Sequence, residues 1–483
     1  MVSVDGSQFV AMLTEKFGAV AGLATLNERI AATPGLLEDM QMSIVSATAL
    51  DNGQRNWSAS GNAKAASGEA SFSGSATGAL SNPAAFSGSW QATISQDEPL
   101  NFLTLAGVSL VPLGAPGPAT LEINANGSLQ DGLNIDTAFS ADGTSATLAG
   151  TIKGDGFVGK AGLISNDLDP YLMATGLAFP GTGLGTQMSF AADVVRSDES
   201  TVFTNLDASV GETKATGDLT VVTGVRRKVD GRLALNSVDA LWLLESLMGP
   251  GTFAPSGEGE AGLTFATQPL VPVDGHIALT VDSIGLGPLG EGIGGKATLV
   301  MQPNALRLEG LETSLAAGLV KGNFEARNDN GDGAISGDFS LKGARFEDLT
   351  GQEAISGALD LSGSLTATGK SVDALAAALT GSGVVSLKGG AIKGINPDGF
   401  AALMAEAGAS DKAPAETATK ALVASKMLTG IFPFQDTDLA RTAAGGKVRV
   451  PAFRAVGNNA VVSATIEADA ADASLVADGT IAY

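Results

Sequence analysis

The chain has 483 residues, 44% of them hydrophobic and 16% charged, a balance that excludes a disordered chain. A net charge of −23 repels phosphate backbones and excludes nucleic acid as a partner. Cysteine is absent, which excludes disulfides, thiol catalysis, iron–sulfur clusters and cysteine-bound zinc, and fits an oxidising compartment such as a bacterial envelope.

Sixty-four glycines and an aromatic share of 5% favour thin sheet layers with many turns over one large globular core. An amphipathic helix is expected over about 7–26. Its segment "FVAMLTEKFGAVAGLATL" (9–26) carries Glu15 and Lys16, so it spans no membrane, and it lacks the basic start and cleavage site of a signal peptide. Further on, "TLEINANGSL" (120–129) sets Leu121, Ile123 and Ala125 against Glu122, Asn124 and Asn126, the period of a half-buried strand. The same alternation places Leu233 and Leu235 together in "DGRLALNS" (230–237), and Ile277, Leu279 and Val281 in "HIALTVDS" (276–283). "ATLVMQPNALRLEG" (297–310) reads as a hairpin turning at Pro303-Asn304. Short helices are expected at 371–381, with Ser371 as cap and Gly381 as stop, at 396–408, capped by Asn396 ahead of Pro397, and at 415–430.

A repeat lies beneath these elements. "SQDEPLNFLTLAGV" (95–108), "SNDLDPYLMATGL" (165–177) and "NSVDALWLLESLMG" (236–249) each join an acidic residue, a Leu-rich half-turn and a Gly. Leu103, Leu172 and Leu241 fall at equal intervals, and "KGARFEDLTGQEAISG" (342–357), with Leu349, is a weaker and more distant copy. A unit of strands plus a short helix cannot close its own apolar face, so such units stack into an elongated array.

Catalytic chemistry finds few candidates. The lone histidine, His276, begins a strand with no nucleophile motif beside it. "NDNGDGAISGDF" (328–339) imitates a calcium loop, but Asn328 and Phe339 occupy its first and twelfth positions and its flanks read as strands, which makes it a hairpin turn. "GSGVVSLKGGAIKGIN" (381–396) follows a helix and leads into strands, the reverse of a phosphate-binding loop; Gly381 and Gly383 release one strand, and Lys388-Gly389-Gly390 turns into a second. No carboxylate pair stands out. The expectation is a non-enzymatic protein with no catalytic residue, no metal and no cofactor.

Taken together, residues 311–400 carry an ordered string: "LETSLAAGLVKGNFEARN", "GDFSLKGARFEDLTG" and "AISGALDLSGSLTATGKSVDALAAALTGSGVVSLKGGAIKGINPDGF". This order resembles the C-terminal region of AsmA-family proteins of Gram-negative envelopes, most strongly over 297–405, with Gly390 to Asn396 matching its closing element. The resemblance implies a mainly β, elongated, repeat-like antiparallel sheet with a few short helices, curved into an apolar groove. It also implies phospholipids and membrane components as partners, periplasmic location, outer-membrane homeostasis, and an N-terminal inner-membrane tether that this chain lacks, as a fragment or truncated relative would.

Four regions are expected: an N-terminal helix and β region (1–95), AsmA-like repeats (96–296), an AsmA-like core (297–410), and a terminal helix with strands (411–483). Strands with one aliphatic face offer continuous apolar surface for acyl chains, and Leu233, Leu235, Leu299, Met301, Leu306 and Leu308 are the candidate lipid-groove residues. The competing expectation is a structural or adhesive β-repeat protein whose aliphatic faces seal a dry core.

Overall fold

The structure, a computed structural model, describes residues 6–17, 23–31, 33, 37–51, 54–78, 85–106, 108, 110–111, 117–176, 183–224, 226–253, 263–267, 273–287, 290–409, 416–469 and 474–483. The chain divides into two compact units, Met1–Ala234 and Leu235–Tyr483. Period-two alternation is realised in both: strands hold 61% of the described residues against 17% in helices, and the pairing is antiparallel and open, not closed into a barrel.

In the first unit, α1 (Gly6–Phe17) and α2 (Leu23–Ala31) precede β1 (Gln41–Asp51), β2 (Gln54–Ala65), β3 (Gly68–Thr77) and β4 (Ser87–Gln96). The single helix expected over 7–26 is therefore two. Gly18 follows α1 and Gly22 precedes α2, and glycine is a poor helix former; residues 18–22 lie outside the described residues. After α3 (Leu100–Leu105) come β5 (Ala119–Ser128), β6 (Gly132–Ala141), β7 (Thr144–Lys153) and β8 (Gly156–Ser165). After α4 (Asp169–Ala174) come β9 (Met188–Arg196), β10 (Ser200–Val210), β11 (Thr213–Val222) and β12 (Lys228–Asp239), which crosses the unit boundary. From β1 to β11 every strand pairs with the next.

The second unit begins with α5 (Ala240–Met248), then β13 (Asp274–Gly285), β14 (Glu291–Gln302), β15 (Ala305–Leu315), β16 (Gly318–Asp329) and β17 (Asp332–Arg345). It continues through α6 (Phe346–Thr350), β18 (Ile355–Gly369), α7 (Val372–Ala377), β19 (Thr380–Lys393), α8 (Gly399–Gly408) and α9 (Glu416–Met427). It closes with β20 (Ile431–Pro433), β21 (Thr437–Ala444), β22 (Lys447–Val456), β23 (Val461–Asp469) and β24 (Ser474–Ala482).

The repeat leucines sit in α3, α4 and α5, and four strands separate each helix from the next, which accounts for their equal spacing. The interval to α6 is longer because residues 249–273 and five strands intervene. Gln302 pairs with Ala305 across the Pro303-Asn304 turn, and Asp329 pairs with Asp332 across Asn330-Gly331. Asn330 (φ 54) and Gly331 (φ 89) supply the two left-handed residues of a tight hairpin, the turn expected there.

Three local expectations need correction. Ser371 does cap α7, its hydroxyl accepting from the Ala374 N–H, but Gly381 lies inside β19 and stops no helix, because α7 ends at Ala377. α8 starts at Gly399 behind Asp398; the Asn396 side chain instead accepts from the Asp398 N–H and donates to the Lys426 carbonyl. Lys388-Gly389-Gly390 does not separate two strands. β19 continues through it with a shift in register against β18, Gly389 taking a left-handed φ of 57, because partners on both sides keep the strand going.

Two apolar clusters anchor the second unit. One gathers Leu341, Leu359, Leu387, Phe432, Phe434 and Phe453, with Phe346 and Leu349 of α6 against it. The other gathers Leu247, Met248, Phe265, Ala326, Ala367 and Leu375, which brings α5 and α7 against the strand ends. No helix among the described residues is long and apolar enough to cross a membrane.

Candidate functional site

Residues directly opposite each other in an antiparallel pair share a face. In the second unit this carries an apolar row across ten strands: Ile277, Leu299, Leu308, Phe324, Gly337, Leu365, Gly381, Ala443, Val448 and Ala468 are successive partners. A second row joins Met301, Leu306, Ala326, Ile335 and Ala367. The opposite face is polar. There Glu312 receives Lys296 at 2.8 Å and Lys321 at 2.6 Å, and Asp360 receives Lys388 at 2.7 Å. Both lysines of the first group hold the Glu312 carboxyl down at about 2, Lys296 contributing most.

Glycines serve this surface by giving room for rings to lie flat. A Cβ at Gly337 would fall 2.5 Å from the Phe324 ring, and one at Gly390 would fall 2.1 Å from the Phe434 ring. The first unit uses the same device, with Gly74 under Trp90 at 2.5 Å. It also carries a row of its own through Met42, Ala63, Ala70, Ile94, Leu121, Phe139, Ala146, Leu163, Phe190, Ala208 and Ala215. Every one of these side chains is half-buried.

Coverage differs along the face of the second unit. Leu299 and Ile277 are buried, at 9% and 7% exposure. Leu308, Phe324, Phe339 and Leu365 are half-buried and belong to neither apolar cluster. The strip between the capped ends thus stays partly open to solvent.

Of the six residues expected on a lipid-binding surface, the structure brings four together: Leu299 faces Leu308 and Met301 faces Leu306 across the β14–β15 hairpin. Leu233 and Leu235 share one side of β12 and are half-buried. Sequence reasoning missed Phe324, Leu365 and, above all, Arg441. The alternation Leu439-Arg441-Ala443 in β21 was the available signal, because it sets an arginine among apolar positions.

Arg441 continues the row Gly322, Phe339, Gly363 and Gly383. Its guanidinium carbon lies 5.4 Å from the Phe339 ring centroid, crossing the two glycines. Cβ atoms at Gly363 and Gly383 would meet it at 3.1 and 2.9 Å. Its Nε is buried without an acceptor, and burial pushes the guanidinium pKa down. Beside it opens a hollow of about 60 Å³ lined by Phe339, Leu365, Leu379, Ala443 and Val448.

Among the described residues, the other polar groups singled out by burial or sequence serve structure. His276 is exposed on β13. Asp169 is buried, but its Oδ2 accepts the N–H groups of Gly183 and Gly185 at 2.7 and 2.8 Å and so ties that loop to α4. The described residues contain no group of three or more His, Asp or Glu placed to hold a metal ion. No family model, no curated protein and no solved structure matches the chain.

Proposed function

We propose that the chain is a non-enzymatic, AsmA-like protein of the bacterial envelope that holds phospholipid acyl chains against the apolar face of its sheets and so supports outer-membrane assembly and homeostasis. The observation that carries this reading is the ten-strand apolar row, left half-open from Leu308 to Ala468 between two capped ends. From Leu308 to Ala468, seven strand-to-strand steps of about 4.8 Å give the half-open part a path of about 34 Å. A bilayer's hydrocarbon core is about 30 Å thick and two chains deep, so the path exceeds one acyl chain. Each methylene moved from water onto such a surface gains up to about 0.8 kcal/mol. The face is almost free of directional polar groups, which suits a ligand whose recognised part is hydrocarbon. The ordered motifs of 311–400 support the family assignment, and with it periplasmic location and membrane partners.

A sealed structural repeat predicts aliphatic faces packed shut; half-exposed Leu308, Phe324 and Leu365 favour the lipid reading. Native mass spectrometry of the protein purified from envelopes under gentle extraction tests it. Bound phospholipid is expected, and its loss in Met301→Asp. A lipid-free spectrum from the wild-type chain would overturn the reading.

A further inference from the structure

Arg441 is the charged member of the apolar rows of its unit, and charge on such a surface needs a partner. Three observations describe its condition. The described residues supply it no ion pair, only the Phe339 ring. Its Nε–H is buried and meets no acceptor. Two glycines, at 363 and 383, leave the trough in which the side chain lies; a Cβ at 383 would come within 2.9 Å of it and one at 363 within 3.1 Å. The side chain is half-buried, and of its nitrogens only Nε is buried without an acceptor, so the terminal nitrogens stay open to a ligand. It lies across the face beside a hollow of about 60 Å³, several times the room one water needs.

We propose that Arg441 is a headgroup-reading subsite, its guanidinium taking the phosphate oxyanion of a phospholipid whose acyl chains lie along the Leu308–Phe324–Leu365 strip. The inference rests on the reading that this face binds acyl chains, and adds that binding is anchored and oriented at one point. Arginine suits the task because its planar fork donates two parallel N–H bonds to a phosphate while its flat side remains on the Phe339 ring. Phe339 and the two glycines are positioning residues. They hold the fork on the face of the sheet, beside the row of hydrocarbon contacts. A free phosphate shares the oxyanion but not the hydrocarbon.

Calorimetric titration of the full chain separates these possibilities, with dioctanoyl phosphatidic acid, dioctanoylglycerol and inorganic phosphate as probes. The wild-type chain is expected to bind the phosphatidic acid about tenfold to a hundredfold tighter than the diacylglycerol, the range of a charge-assisted hydrogen-bond pair. Arg441→Met is expected to bind both with the diacylglycerol's affinity, and Arg441→Lys to keep part of the preference. Met removes a half-buried, unpaired charge at similar length, so this variant should melt close to wild type, and thermal unfolding checks that it folds. A preference for the phosphatidic acid that survives Arg441→Met overturns the subsite while leaving acyl-chain binding intact. Failure of the wild-type chain to bind either lipid overturns the acyl-chain reading itself. Inorganic phosphate binding as tightly as the phosphatidic acid overturns the headgroup assignment in favour of a free-anion site.

Discussion

The two units are written in the same alternation and differ in what covers it. In the first, the row from Met42 to Ala215 is half-buried at every position, and the rings that connecting segments bring to this face, Phe86 on Trp57 and Phe102 on Phe139, are themselves only half-buried. In the second, rings brought in by connecting and terminal segments close both ends of the face: Phe265 at one, and Phe432 and Phe434 at the other. Binary pattern therefore decides that a face is apolar. Whether that face becomes core or open surface depends on whether the rings delivered from elsewhere in the chain are themselves sealed, as Phe265, Phe432 and Phe434 are.

Phe432 offers the hardest test of this difference. It is fully buried, stacks on Phe434 at 6.4 Å, and lies against Gly457, whose Cβ would fall 2.5 Å from the ring. Phe432→Ala should cost about 3–5 kcal/mol, read from denaturant unfolding of the second unit. A loss under 1 kcal/mol would mean that the end of the face is not capped as described. Gly390→Ala should follow, at about 1–3 kcal/mol, because the added carbon enters the space of the Phe434 ring and that ring is itself buried. Hydrogen exchange of β19 and β20 would report the damage locally.

The contrasting substitution belongs to the first unit. Trp90 lies over Gly74 with its side chain half-buried, so Trp90→Ala should cost only about 1–2 kcal/mol, less than the loss of a sealed aromatic. If it costs as much as Phe432→Ala, the first unit's face is sealed too, and the distinction between the units fails.

Much of this arrangement could be read in the residues. Alternation in 120–129, 230–237 and 276–283 located strands and their apolar sides, and Pro303-Asn304 and Asn330-Gly331 located turns, because both signals are local. The equally spaced leucines announced a repeated unit of strands plus a short helix, and the structure puts four strands in each interval. What stayed hidden depended on partners distant in sequence. Gly389-Gly390 looked like a turn, yet β18, β20 and β21 pair with the strand around it and reduce the pair to a shift in register. Arg441 carried a local signal, an arginine at an apolar position, but its significance needed Phe339, Gly363 and Gly383 to be placed beneath it by four strands of register.

The polar face supplies the smallest expected effect and separates it from the apolar one. Glu312 sits at about 2 because Lys296, and then Lys321, donate to its carboxylate, whereas an unfolded chain titrates this group near 4.5. A depressed folded value means that its stabilising contribution is complete above about 4.5 and declines as pH falls toward 2. The pair is solvent-exposed and therefore screened, so a small drop in melting temperature is expected between pH 5 and pH 2.5, and 1 M salt should shrink it. Glu312→Gln should remove this part of the acid sensitivity while leaving lipid binding unchanged, since the carboxylate faces away from the apolar row. If that substitution altered lipid affinity, the two faces would not be independent, and the assignment of ligand binding to the apolar side alone would be wrong.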